Sequence, residues 1–146
     1  MNIPFGKNRK LSLYVFMQII GIIVAIIVFV VIVKTHSEET QVCIEGKELR
    51  IEGSYGESFS LDNLSQVNLL DTLPAIKSRT NGYSFSSVKK GYFKTKSGER
   101  IKLFIHSSDG PFLKIQRKED MPIFINYNDS SKTQQVYKDI LVLINK

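Results

Sequence analysis

The chain has 146 residues, a formal net charge of +6, one cysteine and two histidines. A lone cysteine excludes an internal disulfide, and with two separated histidines it leaves no dedicated zinc-ligand set. The basic excess is local, because residues 1–34 hold four positive charges and no negative ones, leaving 16 Lys and Arg against 14 Asp and Glu in the remainder; the overall charge is therefore no signature of a nucleic-acid partner.

Residues 1–10 read as a basic N-terminal tail. From Leu11 to Val33 run 23 residues without a charge, built largely of Ile and Val. At about 1.5 Å per residue a helix of that length reaches about 35 Å, enough to cross a hydrocarbon core of about 30 Å. The run predicts one transmembrane helix. A cleaved signal peptide would have a shorter apolar core and a small-residue cleavage site, whereas this core runs straight into Lys34-Thr35-His36-Ser37-Glu38. A buried helix would need a domain able to surround it on every face, more than the rest of the chain can provide. Lys7, Arg9 and Lys10 precede the span and Lys34 alone follows it. Positive residues are retained in the cytoplasm, so the expected topology is a single-pass protein of the cell membrane, with the N-terminus cytoplasmic and the C-terminal domain extracytoplasmic.

Residues 34–41 read as a juxtamembrane linker and 42–146 as one domain. Residues 41–45 and 47–52 predict two short strands meeting at Gly46, the second alternating Leu49 and Ile51 with Glu48, Arg50 and Glu52. Gly53-Ser54-Tyr55-Gly56 is a turn composition, followed by strands over Glu57–Leu61 and Leu64–Leu70. Pro74 and Arg79-Thr80-Asn81-Gly82 predict a long irregular connection from Asp71 to Ser87. Val88–Lys96, Glu99–Ser107, Pro111–Arg117 and Met121–Tyr127 predict a meander joined by short polar turns. In it Phe93, Ile101, Leu103, Ile105, Leu113 and Ile115 are assigned to a core face. Lys90, Lys94, Lys96, Arg100, Lys102, Lys114 and Lys118 are assigned to a basic one. Residues 77–102 carry a local charge of +7.

The chain closes with an amphipathic helix. Ser131-Lys132-Thr133-Gln134 has capping-box spacing, and Val136, Ile140, Leu143 and Ile144 recur on one face. A mainly β domain with one C-terminal α-helix follows: about seven strands in a bent sheet or partly open barrel, plugged by that helix and preceded by the transmembrane one.

The order of strands and final helix, with Leu73-Pro74, Arg79-Thr80-Asn81-Gly82, Gly91-Tyr92-Phe93 and Ser97-Gly98-Glu99-Arg100-Ile101-Lys102-Leu103, resembles the bacterial pleckstrin-homology (PH)-like domain family over roughly residues 42–145. The resemblance implies a PH-like roll of seven strands capped by a helix, a bacterial source and frequent attachment to membrane segments. It implies no assigned activity. Eukaryotic phosphoinositide-binding PH domains gather cations around the loop joining the first two strands of the roll. Here that loop is Gly53-Ser54-Tyr55-Gly56, without a positive charge, which argues against phosphoinositides.

No catalytic set emerges. Gly56-Glu57-Ser58-Phe59-Ser60 lacks the closing glycine of a nucleophile elbow, and His106, Ser107, Ser108 and Asp109 are too close in sequence to form a triad. No cofactor is expected. Cys43 reads as a small apolar strand residue. The candidate binding surface comprises Arg79, Asn81, Tyr83, Lys90, Lys94, Lys96, Arg100 and Lys102. The expectation is a non-enzymatic membrane protein presenting its domain to a protein partner not identifiable from the sequence. Binding of anionic lipid headgroups through the basic face is the alternative, and nucleic acid is disfavoured by the topology.

Overall fold

The computed structural model describes residues 7–144, with side chains described for 13–35 and 37–144. The chain divides into two compact units between Thr35 and His36. In the first, helix α1 spans Lys7–Ser37, four residues beyond the end of the expected span. Its segment Leu13–Thr35 is long and apolar enough to cross a membrane, and none of it is buried. Residues 1–6 of the expected N-terminal tail lie outside the described residues.

The second unit is mainly β with a helix at its end. Among the described residues it holds nine strands: β1 (Val42–Glu45), β2 (Glu48–Ile51), β3 (Glu57–Ser60), β4 (Leu64–Leu70), β5 (Ile76–Phe85), β6 (Val88–Thr95), β7 (Arg100–Ile105), β8 (Phe112–Arg117) and β9 (Ile123–Ile125), followed by α2 (Ser130–Ile144). They form two open sheets, one ordered β1-β2-β3 and the other β4-β8-β9-β7-β6-β5. The expected meander is corrected here. β7 and β8 are not neighbours, because β9 lies between them, parallel to β7 and antiparallel to β8.

The segment expected to be irregular contains β5, the longest strand. Its sequence hides it: β5 is an edge strand with mostly exposed side chains, so no apolar alternation marks it. Two extra residues, at the register shifts near Lys77 and Thr80, bulge it against β6. Gly82 faces Gly91 across the pair, and a Cβ on Gly91 would lie 2.5 Å from the Asn81 carbonyl oxygen. The Arg-Thr-Asn-Gly element is therefore a bulged strand whose glycine permits close backbone approach, and not a turn.

Both faces of the six-stranded sheet are buried at its centre. One face packs Val67, Phe104, Leu113, Ile115, Ile123 and Ile125 against Leu49, Ile51 and Phe59 of the small sheet and Ile140 of α2. The other gathers Phe93, Ile101, Leu103, Ile105, Phe112 and Phe124, with Leu70, Leu73 and Ile76 against them. This corrects the expected parity: Leu113 and Ile115 lie on the face opposite Phe93 and Ile101. The continuous Ile-Phe-Ile of β9 suits a strand covered on both sides. The N-cap of α2 is Asp129 rather than Ser131, since the Ser131 N–H donates to Asp129 Oδ1 at 2.8 Å. Ile140 is fully buried and Val136, Tyr137 and Leu143 are half-buried, while Ile144, expected on the same face, is 40% exposed.

Candidate functional site

The structure separates the eight candidate surface residues into two groups. Lys90 and Lys102 share a face with Lys94 and Arg100, but that face is the one the larger core covers. Both lysines are only 2% exposed. The expectation of a continuous basic face is therefore corrected: its centre is interior, and only its end is open to solvent. Lys114 is on the opposite face, its ammonium 6.0 Å from the Phe124 ring centroid.

Each buried cation has a built environment. Lys102 Nζ lies 2.9 Å from Glu57 Oε1, between the rings of Tyr92 and Phe104 at 4.9 and 5.6 Å. Arg117 shares that carboxylate, with Nη1 3.1 Å from Glu57 Oε2 and Nη2 2.8 Å from Asp120 Oδ2. One carboxylate on β3 thus neutralises two cations on the facing sheet and joins the sheets electrostatically as well as through packing. A cleft of about 390 Å³ opens beside Phe59, Asn63 and Arg117. The guanidinium in its wall is paired through Nη1 and Nη2, while its buried Nε has no hydrogen-bond partner.

Lys90 belongs to a second polar knot that the sequence reading did not identify. Its ammonium donates to the Glu38 carbonyl. Burial lowers the Lys90 pKa, with Glu38 and Glu39 opposing the shift. The Glu39 carboxylate accepts from the Asn128 backbone and side chain at 3.1 Å and from Lys132 at 3.0 Å. Burial works against its charge, but these bonds prevail and hold it below the ordinary carboxylate value. The Thr40 N–H donates to His106 Nε2 at 3.0 Å. Residues 38–40 thus form a strap held to β6, to the end of β7 and to the start of α2.

His106 is 1% exposed and stacks on Tyr127 with ring centroids 6.4 Å apart. Burial and the nearby Lys90 charge lower its pKa to about 4, with Glu39 opposing and Lys132 adding to the shift. Burial, with Glu39 and Cys43, pushes Tyr127 up to about 12. Beneath the ring, Asn126 Oδ1 accepts the N–H groups of His106 and Ser107, and Nδ2 donates to the carbonyls of Ser107 and Asp109. His106 is thus a structural ligand of the strap. One sequence signal pointed to it: Leu103-Phe104-Ile105-His106 continues an apolar run with no alternation, the pattern of a strand buried on both faces.

The exposed group lies at the far end of the same strands. Cross-strand register places Ser78, Lys94 and Arg100 in one row over β5, β6 and β7, so Lys94 and Arg100 face each other directly. Lys77 and Arg79 on β5 and Lys96 beyond β6 are three further exposed cations near this row, with Arg79 on the opposite face of the sheet because it faces Phe93. No carboxylate lies within ion-pair distance of any of the five among the described residues. A like-charge pair directly opposite across a ladder is unfavourable. Asn81 and Tyr83 sit farther along β5, opposite Tyr92 and Lys90, and so at the strap end. Cys43 is a half-buried thiol on β1, opposite Arg50. No group of three or more His, Cys, Asp or Glu able to hold a metal ion lies among the described residues. No protein-family model, curated protein or solved structure matches the chain.

Proposed function

We propose that the protein is a non-enzymatic, single-pass membrane protein whose β domain presents the cationic end of β5, β6 and β7 to an acidic segment of a protein partner. The observation that carries this reading is the exposed row of Lys94 and Arg100, with Lys96 two residues beyond Lys94 and no carboxylate within ion-pair distance of the three among the described residues. Lys94 and Arg100, directly opposed, lower their mutual repulsion when an anionic partner docks.

A protein partner is favoured over lipid headgroups because half of the basic face is covered inside the domain. Lys90 and Lys102, which the lipid alternative also required, are engaged inside the domain. The anchor itself rests on the length and composition of α1, and the extracytoplasmic placement of the domain on the positive residues before the span. Membership of the PH-like class is supported by the order of strands and terminal helix. The nine strands and the parallel β7–β9 pair depart from the expected roll.

The test places a photo-crosslinking amino acid at Ser78 of the full chain in its native membrane. A discrete protein adduct that disappears in the Lys94→Glu/Arg100→Glu variant supports the reading. Adducts to lipid alone, together with exchange protection of residues 94–100 in anionic but not neutral nanodiscs, replace it with the headgroup alternative.

A further inference from the structure

We propose that the Glu38–Thr40 strap is a proton-released latch: a proton added at His106 Nε2 removes the acceptor that holds the Thr40 N–H, and the strap leaves the domain while both sheets stay folded. Three consecutive residues are held by three different elements, through the Glu38 carbonyl, the Glu39 carboxylate and the Thr40 N–H. None of the three adds a side chain to either apolar core. Their departure therefore exposes little apolar surface, and polar bonds alone decide whether the strap is held.

The chemistry at His106 makes those bonds acid-sensitive. Nε2 accepts a hydrogen bond only while it carries no proton, which places the proton of the neutral ring on Nδ1. Nδ1 is enclosed and has no hydrogen-bond partner. A second proton must go to Nε2, where it meets the Thr40 N–H, and only the Thr40 hydroxyl, 3.3 Å away, remains as an acceptor. The charged and titratable groups around the ring are Lys90 from β6, Lys132 from α2, Glu38 and Glu39 from the strap itself, the stacked Tyr127, and Cys43 beyond it. Lys90 and Lys132 repel an imidazolium. The Glu39 carboxylate, already bonded to Lys132 and Asn128, belongs to the element that departs.

With the strap open, the ring returns to water and to an ordinary pKa of about 6.5. Linkage between that value and about 4 in the closed state raises latch opening about 30-fold from pH 7.5 to pH 5. Glu39, held below the ordinary carboxylate value, keeps its charge over this window.

Amide exchange of the full chain in detergent micelles, corrected for intrinsic exchange rates, tests the latch. The expected result is a fall of about 30-fold in the protection of Thr40 between pH 7.5 and pH 5, with Phe104, Leu113 and Ile125 staying far more protected than Thr40 at both pH values. His106→Gln, which keeps an uncharged acceptor, should abolish the pH dependence. Should that variant fail to fold, Glu39→Gln serves, because acid release should persist in it with the midpoint of the His106 ring titration. Thr40 protection that is constant with pH, or that is no lower than that of the core amides, overturns the proposal, as does a Glu39→Gln variant without acid release.

Discussion

The shared carboxylate of Glu57 gives the most direct test of how the two sheets are held together. Glu57→Gln preserves the shape of the side chain but removes the carboxylate that is the countercharge of Lys102 among the described residues; the Lys102 side chain is 3% exposed. Arg117, 8% exposed, retains Asp120. Breaking a buried ion pair from one side destabilises by about 3–5 kcal/mol, because a desolvated charge is left behind. Gln still offers one acceptor oxygen, and Glu57 is 25% exposed, so the lower end, about 3 kcal/mol, is expected. A domain of this size has a stability of about 5–15 kcal/mol in total. The assay is urea unfolding of the full chain in detergent, followed by near-ultraviolet circular dichroism of its tyrosines. Lys102→Met removes the buried cation instead of its partner and leaves Arg117 paired with both carboxylates, so it should change stability by less than about 1 kcal/mol. A loss below about 1 kcal/mol for Glu57→Gln, or an equal loss for both variants, would refute the argument, since the effect would then lie in packing and not in charge.

Acid should weaken the fold through His106. Its folded-state pKa is depressed to about 4 from an unfolded value of about 6.5, so its stabilisation is complete above pH 6.5 and is lost as pH falls towards 4. The total is about 3 kcal/mol, readable as a declining urea midpoint that His106→Gln flattens. Gly91→Ala should cost more than about 2 kcal/mol, because its Cβ would meet the Asn81 carbonyl oxygen at 2.5 Å and Gly82 Cα at 2.7 Å with φ at +107°. Gly98→Ala, at φ +94° with nothing within 4 Å, should cost about half as much, and thermal melts of the two variants check the order. Asp129→Ala should lose about 1 kcal/mol as the α2 cap is removed, while Ser131→Ala, at the position the capping-box spacing favoured, should change the melting temperature little.

What could be read in the sequence followed the local rules. The apolar helix, the β1–β2 hairpin at Gly46, the limits of β4 and the amphipathic α2 each come from a period, a turn residue or a long uncharged run within a few residues of one another. The failures arose where tertiary pairing decided the outcome. β5 lacks a hydrophobic signature because an edge strand needs none, and its Gly82 reads as a turn until Gly91 is placed against it. Alternation in β6 and β7 correctly put Lys90, Lys94, Arg100 and Lys102 on one face. It could not reveal that the small sheet and the strap cover half of that face, since this depends on Glu57 and Glu38, dozens of residues earlier. The strap itself was invisible for the same reason: Thr40 and His106 are 66 residues apart and meet only in the folded domain.

The three residues of β9 have a consequence for how the domain is made. Without Ile123–Ile125, the strand order falls into two separate pieces, β4 with β8 and β5 with β6 and β7, and no ladder joins them. During synthesis α1 is finished some eighty-five residues before this keystone. For as long as that stretch takes to be made, the emerged chain holds apolar strands with one edge unsealed on each side of the gap. Those edges are the natural contacts for a holding chaperone. Arrival of the Ile-Phe-Ile tripeptide joins the two pieces into one sheet, and the core under α2 closes only when Tyr127 and Ile140 have followed, so assembly of the domain is gated by its C-terminal elements rather than advanced hairpin by hairpin.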